Sequence, residues 1–402
     1  MPSLSRFTRI VLAAGVAVTA SLVSNAQSAF AAPIKVSELA DSGAGSLRDA
    51  IDKANGSTGL DTIVFEPDLV GTITLTSGEI VITDDLIVDG SDAPNLTVSG
   101  NDTSRIFNVT APAADLTIER MQLTAGFDPG AGGGAILAAG DVTIGSTVIS
   151  LSNTPGTGGA VFAEGRVTVS ASEIKANMGR IGGAIYAEEV VIENGSVIDA
   201  NTAPFGGGGI YAESLFEVRN STISNNVGST ATNPNYGGGG VKTFAEDVTI
   251  DDATFHNNES DGRSGGAIEV RNATVVITDS TFTQNTGVDG GAVAASRSAL
   301  TVTNSAFDDN SATNRGGALD LQEGALTATS VNINVTAVAA SARGFVTVFP
   351  CGEQPLAASL NYVPGVNGGN DLIAGLDADG GLCVFNLSET HLTIDVAGYT
   401  TL

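Results

Sequence analysis

Short runs of alternating apolar and polar residues fill most of this chain, and apolar positions almost never recur at helical spacing. Asp247-Val248-Thr249-Ile250 followed by Ala253-Thr254-Phe255 is typical, and glycine and asparagine punctuate the runs as turns demand. One segment departs from this pattern. Ser46-Leu47-Arg48-Asp49 has the form of a capping box, and Leu47, Ala50, Ile51 and Ala54 then share one face of a short helix. Between that helix and a glycine-rich body, residues 61–124 read as three irregular coils of strand rich in Thr, Ile, Leu and Val.

The runs recur with a period. Gly133-Gly134-Ala135-Ile136 is echoed by Gly158-Gly159-Ala160-Val161 and Gly182-Gly183-Ala184-Ile185. The echoes continue at Gly208-Gly209-Ile210, Gly239-Gly240-Val241, Gly265-Gly266-Ala267-Ile268, Gly290-Gly291-Ala292-Val293 and Gly316-Gly317-Ala318-Leu319. The aliphatic residue steps by 25, 24, 25, 31, 27, 25 and 26. The long step holds a loop, Gly228 to Tyr236. A second marker keeps step out of phase: Asn177, Asn201, Asn226, Asn258, Asn285 and Asn310. Three of these close a Phe-x-x-Asn signature, at Phe255, Phe282 and Phe307, and Ile replaces Phe in earlier copies.

A unit of about 25 residues with strands and turns but no helix fits one coil of a β-solenoid. Each coil would pair its backbone with the coils on either side at about 4.8 Å. The aliphatic series becomes an inward ladder, and the glycine doublets mark corners needing left-handed dihedrals or close approach of backbone. The repeat does not encode handedness, but parallel crossovers are right-handed almost without exception. The exposed end of such a stack invites edge-to-edge association, so the helix near Ser46 is expected to be the lid on the first coil.

The N-terminus changes the picture of where this body works. Arg6 and Arg9 precede an apolar run from Ile10 to Val23, and Ala29-Phe30-Ala31 supplies a small-x-small cleavage site. That run is too short for a membrane span, which needs about 20 residues, so a cleavable export signal over residues 1–31 is expected. No later stretch reads as a span, and an integral membrane protein is not expected. The whole chain carries 44 acidic and 17 basic residues, a net charge of −27. Such a surface repels nucleic acid and anionic membranes and favours cations and solubility. Cys351 and Cys383 are the chain's two cysteines, and in an oxidising compartment they read as one disulfide.

The Gly-Gly-Ala-Ile and Phe-x-x-Asn pair, over about residues 130–325, resembles the repeat of the polymorphic outer-membrane proteins. That resemblance implies a surface adhesin or autotransporter passenger with a right-handed β-helix. The roughly 70 residues after the last coil are too few for that family's translocating β-barrel, so outer-membrane insertion is not expected. The stretch from Asp41-Ser42-Gly43 through Ser46-Leu47-Arg48-Asp49-Ala50-Ile51 is similar to the opening of many exported β-helix proteins, with Gly45 where those carry Cys. The last residues resemble a small module of secreted actinobacterial proteins, in Gly344-Phe345-Val346-Thr347-Val348-Phe349-Pro350-Cys351-Gly352 and again around Thr390 to Tyr399. The resemblance implies a compact antiparallel β domain without an assigned activity. The expected organisation is therefore all-β: a signal peptide, 1–31; a pectin-lyase-like, right-handed parallel β-helix of about 11 coils with an N-terminal capping helix, 32–328; and a disulfide-stapled β module, 329–402.

Parallel β-helices also house pectin-degrading enzymes, but their motifs are missing. His256 and His391 are the chain's two histidines, neither precedes Gly, and no Arg-x-Lys segment accompanies clustered Asp. No metal-ligand spacing surrounds the cysteines. Asp371 to Gly381 lacks the spacing and terminal Glu of a calcium loop.

Repeat arithmetic does single out one constellation. Phe162, Tyr186 and Tyr211 follow the inward aliphatics by one residue, and Glu164, Glu188 and Glu213 stand two residues further on. Strand alternation puts both sets outward on one face, as an aromatic column beside a carboxylate column. Lys242, Glu269 and Asp320 continue the first column, and Phe244, Arg271 and Gln322 the second. Like charges stacked at such spacing repel, which calls for a Ca2+ ion, a docked sugar or catalytic carboxyls, unless solvation of exposed side chains suffices. No cofactor is otherwise expected. The expectation is a secreted or surface-displayed, non-enzymatic β-helix for adhesion or glycan contact. The alternative is a polysaccharide-processing enzyme, hydrolase or lyase, acting through Glu164, Glu188 and Glu213; carboxyls about 5–5.5 Å apart suit a retaining glycosidase.

Overall fold

The computed structural model describes residues 32–400 except 68, 131, 229–236, 262–263, 324, 328–329, 339–341, 351–357, 367, 376–381 and 387–390. The expected leader, the Cys351–Cys383 bridge and nearly all of the loop from Gly228 to Tyr236 fall outside what is described.

The chain winds into a right-handed parallel β-helix of about 11 coils. Its strands assemble into a 19-stranded and a 13-stranded sheet, with a 5-stranded sheet along the later coils. The aliphatic series is the inward ladder the period demands. Ile136 pairs with Val161, then Ile185, Ile210, Val241, Ile268, Val293 and Leu319 in unbroken register. On the second sheet Ile149, Ile174, Ile198 and Ile223 give way to Phe255, Phe282 and Phe307. The three phenylalanines stack inside the core at 4.7 Å between ring centroids.

The asparagines form a buried ladder. The Asn201 side-chain amide donates to Asn226 Oδ1 at 3.0 Å and to the Ile174 carbonyl at 3.0 Å. The same pattern repeats from Asn177 to Asn310. Each Oδ1 also accepts the backbone N–H of the preceding ladder residue, as Asn226 does from Asn201 at 3.0 Å. The ladder solves a problem set by the corner. The preceding residues (Leu151, Ala176, Ala200, Asn225, Asn257, Gln284 and Asp309) sit at φ between +50 and +56°. Such a left-handed corner costs a residue with Cβ about 1–2 kcal/mol and breaks the backbone ladder, leaving groups that side chains must satisfy. A neighbouring corner repeats the device with hydroxyls: Thr147 N donates to Ser172 Oγ, Ser172 N to Ser196 Oγ and Ser196 N to Ser221 Oγ.

Each glycine of a doublet has its own reason. Gly158 takes φ +64°, whereas a Cβ on Gly159 would stand 2.0 Å from the Gly183 carbonyl oxygen of the next coil. In two coils the register shifts the doublet by one residue. Gly207-Gly208 and Gly238-Gly239 fill those corners, and Gly209 and Gly240 occupy the place of the repeat's alanine.

At the N-terminal end a helix, Leu47–Ala54, covers the first coils with Leu47, Ala50, Ile51 and Ala54 buried. Ser46 Oγ accepts the Asp49 N–H, and Asp49 in turn accepts from Gly45 N, one residue before the usual capping-box partner. A strand, Ile34–Val36, precedes the helix and pairs with Asp61–Phe65, an element the sequence pattern did not suggest. At the other end parallel pairing stops with Ala325–Thr327. Ser330–Val338 then lies antiparallel between Gly368–Gly375 and His391–Thr400, and Gly398 pairs back onto Ala306 of the solenoid. Gly344–Pro350 forms a second antiparallel sheet with Leu360–Tyr362 and Leu382–Asn386. No described helix is long and apolar enough to cross a membrane.

Candidate functional site

The outward face of the middle coils carries the aromatic column. Phe162, Tyr186 and Tyr211 occupy one register position on Val161–Ser170, Ile185–Glu193 and Ile210–Arg219, and alanine and aliphatic neighbours point into the core. The rings stack face to face. Phe162 and Tyr186 centroids are 5.3 Å apart at 12° between planes, and those of Tyr186 and Tyr211 are 4.8 Å apart at 3°. Phe244, placed by sequence in the carboxylate column, instead tilts against Tyr211 at 6.0 Å and 58° and extends the aromatic surface.

Glu164, Glu188 and Glu213 are all exposed, but they do not continue the paired ladder. Pairing slips by one residue between Ala163 and Arg166 opposite Ala187 and Glu189, and again between Ala187 and Glu189 opposite Leu215. The glutamates stand at these irregularities of pairing, where the strand bends, rather than at paired ladder positions. Glu213 accepts a hydrogen bond from the Tyr186 hydroxyl. Burial, and then that carboxylate, hold the Tyr186 phenol well above its ordinary range. Burial followed by the charges of Glu213 and Glu269 raises Tyr211 to about 12. Both hydroxyls therefore stay protonated donors at any physiological pH. A cavity of about 250 Å³ lies among Phe162, Tyr186, Glu164, Glu188, Glu213 and Thr157.

The continuation of the columns is not the solvated surface that alternation suggests. Lys242 and Glu269 point outward yet are each 3 % exposed at the side chain, and they pair at 3.1 Å. Arg271 closes on the other Glu269 oxygen at 2.7 Å. Coverage comes from neighbouring chain: a Cβ on Gly206 would reach 3.2 Å from Lys242 Cδ, and one on Gly237 would reach 2.8 Å from Glu269 Oε2. Lys242 also lies 5.6 Å from the Phe244 ring centroid, a cation–π contact that joins the charged and aromatic patches. Burial pulls the Lys242 ammonium below its ordinary value and the Glu269 charge opposes that shift. Asp320 is largely buried, and Gln322 is exposed and donates to it at 2.7 Å.

Between Glu269 and Asp320 the register position belongs to Ala294. Its small side chain leaves a second cavity of about 330 Å³. Asp289 and Arg315 wall it, joined at 3.1 Å. Sequence reasoning missed both, although each stands immediately before a glycine doublet and keeps the period, because the repeat does not show that this corner on the third sheet faces the Ala294 column. The alanine interrupting a column of Lys, Glu and Asp was a second signal. Among the described residues no group of three or more His, Cys, Asp or Glu could hold a metal ion. The Ca2+ expected as an option for the glutamate column therefore gains no support there. His256 is half-buried, and its Nδ1 lies 2.9 Å from the Thr283 hydroxyl.

No protein-family model matches the chain, and no curated protein matches it. Among solved structures it is similar to a tailspike of Acinetobacter baumannii bacteriophage Fri1, described as a capsular polysaccharide depolymerase, at 11% identity and a TM-score of 0.29. That alignment covers 88% of this chain and 82% of the other. It is also similar to the tailspike of E. coli bacteriophage HK620, solved with a pentasaccharide, at 13% identity and a TM-score of 0.22, over 91% and 94% of the two chains. Likeness this slight carries no argument about function.

Proposed function

We propose that this is an exported, non-enzymatic β-helix protein that binds glycan on the face bearing Phe162, Tyr186 and Tyr211. The observation that carries the reading is the Tyr186–Tyr211 stack, with rings 4.8 Å apart and 3° from parallel, beside a cavity rimmed by exposed carboxylates. Because the rings stack on one another, they offer a ligand a rigid apolar ridge of ring edges along the coils, against which the C–H groups of a sugar can pack. Glu164, Glu188, Glu213 and the Tyr186 hydroxyl supply polar groups at its edge for sugar hydroxyls. The rigid coil means little ordering is needed on binding. Export, adhesion at a cell surface, the repeat family and the C-terminal module belong to this same proposal, supported by the leader and repeat motifs in the sequence.

The second reading is glycoside cleavage, favoured by Glu188 and Glu213 lining one cavity with Glu164. Purified protein lacking the leader, tested against neutral and acidic polysaccharides for new reducing ends, separates the two. Binding without product supports the proposal. Product that disappears in Glu188→Gln makes the carboxylates an active site and overturns it.

A further inference from the structure

Beyond the tyrosine platform, the cavity over Ala294 has the features of a built site. Ala294 points outward between the buried Val293 and Ala295, in the column of Lys242, Glu269 and Asp320, and forms its floor. Three carboxylates, Glu269, Asp289 and Glu323, and three guanidiniums, Arg271, Arg297 and Arg315, line it. Glu269 is held by Lys242 and Arg271, and Asp289 by Arg315, so the walls are fixed before any ligand arrives. Two groups are left over. Ser264 borders the cavity at 4% exposure, and its hydroxyl, packed against Gly237, has no hydrogen-bond partner among the described residues. Arg297 stands exposed on the rim, with no carboxylate at ion-pair distance among the described residues.

A buried hydroxyl without a partner is unfavourable, and a bound polar group within reach would satisfy it. The lining charges balance, so the cavity has no reason to select a net ionic ligand. It presents donors beside acceptors, the pattern that matches hydroxyls able to do both. The chain's net charge of −27 further opposes a polyanion.

We infer that the Ala294 cavity is a second saccharide subsite, for a neutral, polyhydroxylated sugar ring. A neutral glycan chain then lies along the solenoid from the tyrosine platform to this cavity. This inference rests on the glycan reading above and names its substrate class. Three coil steps separate Tyr211 from Ala294 through Lys242 and Glu269, about 14 Å at the usual strand spacing. Only an oligomer or polymer can bridge that span. Between the two subsites the chain at Gly206 and Gly237 covers the Lys242–Glu269 pair, so a glycan that reaches both passes over that cover.

The test is binding of the full mature chain to laminarin, galactomannan and dextran as neutral polymers and to polygalacturonate as an acidic one. Wild type is compared with Ala294→Leu, Arg297→Asn and a Tyr186→Ala/Tyr211→Ala double variant. Leucine at 294 fills the cavity from its outward face without entering the core, and asparagine suits the φ of +52° at 297. The expected result is binding to at least one neutral polymer, weakened tenfold or more by Ala294→Leu and measurably by Arg297→Asn, with unfolding midpoints unchanged. Should Ala294→Leu fail to fold, Arg297→Asn carries the test. Neutral-polymer binding lost in the tyrosine variant but kept in both cavity variants overturns the second subsite and leaves the platform. Preference for polygalacturonate overturns the substrate class. No binding to any polymer overturns the platform and the subsite together.

Discussion

The side-chain amide of Asn226 donates to Asn258 Oδ1 at 3.0 Å, and the two residues are 32 positions apart. This bond spans the longest step of the repeat, so the ladder absorbs the loop without losing register. Asn258 Oδ1 also accepts the Asn226 backbone N–H at 3.1 Å, and both residues are fully buried. Replacement by alanine orphans these donors. Asn258→Ala is expected to destabilise the solenoid by about 1–3 kcal/mol for each donor left unpaired, read from chemical denaturation. A variant as stable as wild type would mean that water replaces the ladder.

The left-handed corner makes the opposite prediction. Leu151 holds φ +56° with its side chain 60% exposed, so it has strain and little packing to lose. Leu151→Gly removes the Cβ clash, worth about 1–2 kcal/mol, against the roughly 0.5–1 kcal/mol that glycine's backbone entropy costs. The expected outcome is a small rise in the thermal midpoint. A fall would place the corner's stability in side-chain contacts.

Arg105 is 6% exposed at its side chain, with Glu79 at 2.5 Å, Asp128 at 2.6 Å and the carbonyls of Gly132 and Gly133 at 3.0 and 2.9 Å. Removing the cation strands two carboxylates, one of them largely buried. Arg105→Ala is expected to cost about 3–5 kcal/mol, measured by denaturant titration. Arg105→Lys should recover part of that loss, because an ammonium cannot reproduce the guanidinium's four contacts.

The N-terminal lid should be acid-sensitive. Burial pushes Asp41 up, but hydrogen bonds from Ser77, Arg48 and Thr76 outweigh it and leave the carboxyl well below its ordinary 3.8. A depressed folded-state value contributes stability that is present above the ordinary value and lost as pH falls through the lower one. Proteolysis of the segment before Asp61 should therefore accelerate progressively below about pH 4. In Asp41→Asn that segment should be looser at neutral pH and change less on acidification. An identical acid profile in the variant would assign the transition to another carboxylate.

Much of this architecture was legible in the sequence because a solenoid is nearly one-dimensional. Each coil meets only its neighbours, so a contact recurs at a fixed separation and appears as a period. The Gly-Gly and Phe-x-x-Asn markers are traces of a backbone approach, an inward stack and a ladder, each repeated every coil. The Phe162–Tyr186–Tyr211 column was legible for the same reason, since alternation fixes which side chains leave the core. The lid was legible from a local signal, the Ser46 cap followed by one apolar face.

What escaped either breaks the period or depends on where separate segments meet. The strand Ile34–Val36 has no repeat partner to announce it. The slips at Glu164, Glu188 and Glu213 are irregularities of pairing, which depend on how two coils meet rather than on either one. Lys242 and Glu269 point outward as alternation requires, yet chain returning past Gly206 and Gly237 buries them. The Ala294 cavity is lined from two sheets, by Arg271 from one and by Asp289 and Arg315 from another. The sequence by itself determined the coil, its inward ladders and its aromatic face, because those are set by spacing along the chain. The tertiary structure decided which outward residues reach solvent and which enclose a cavity, because that depends on segments brought together across coils.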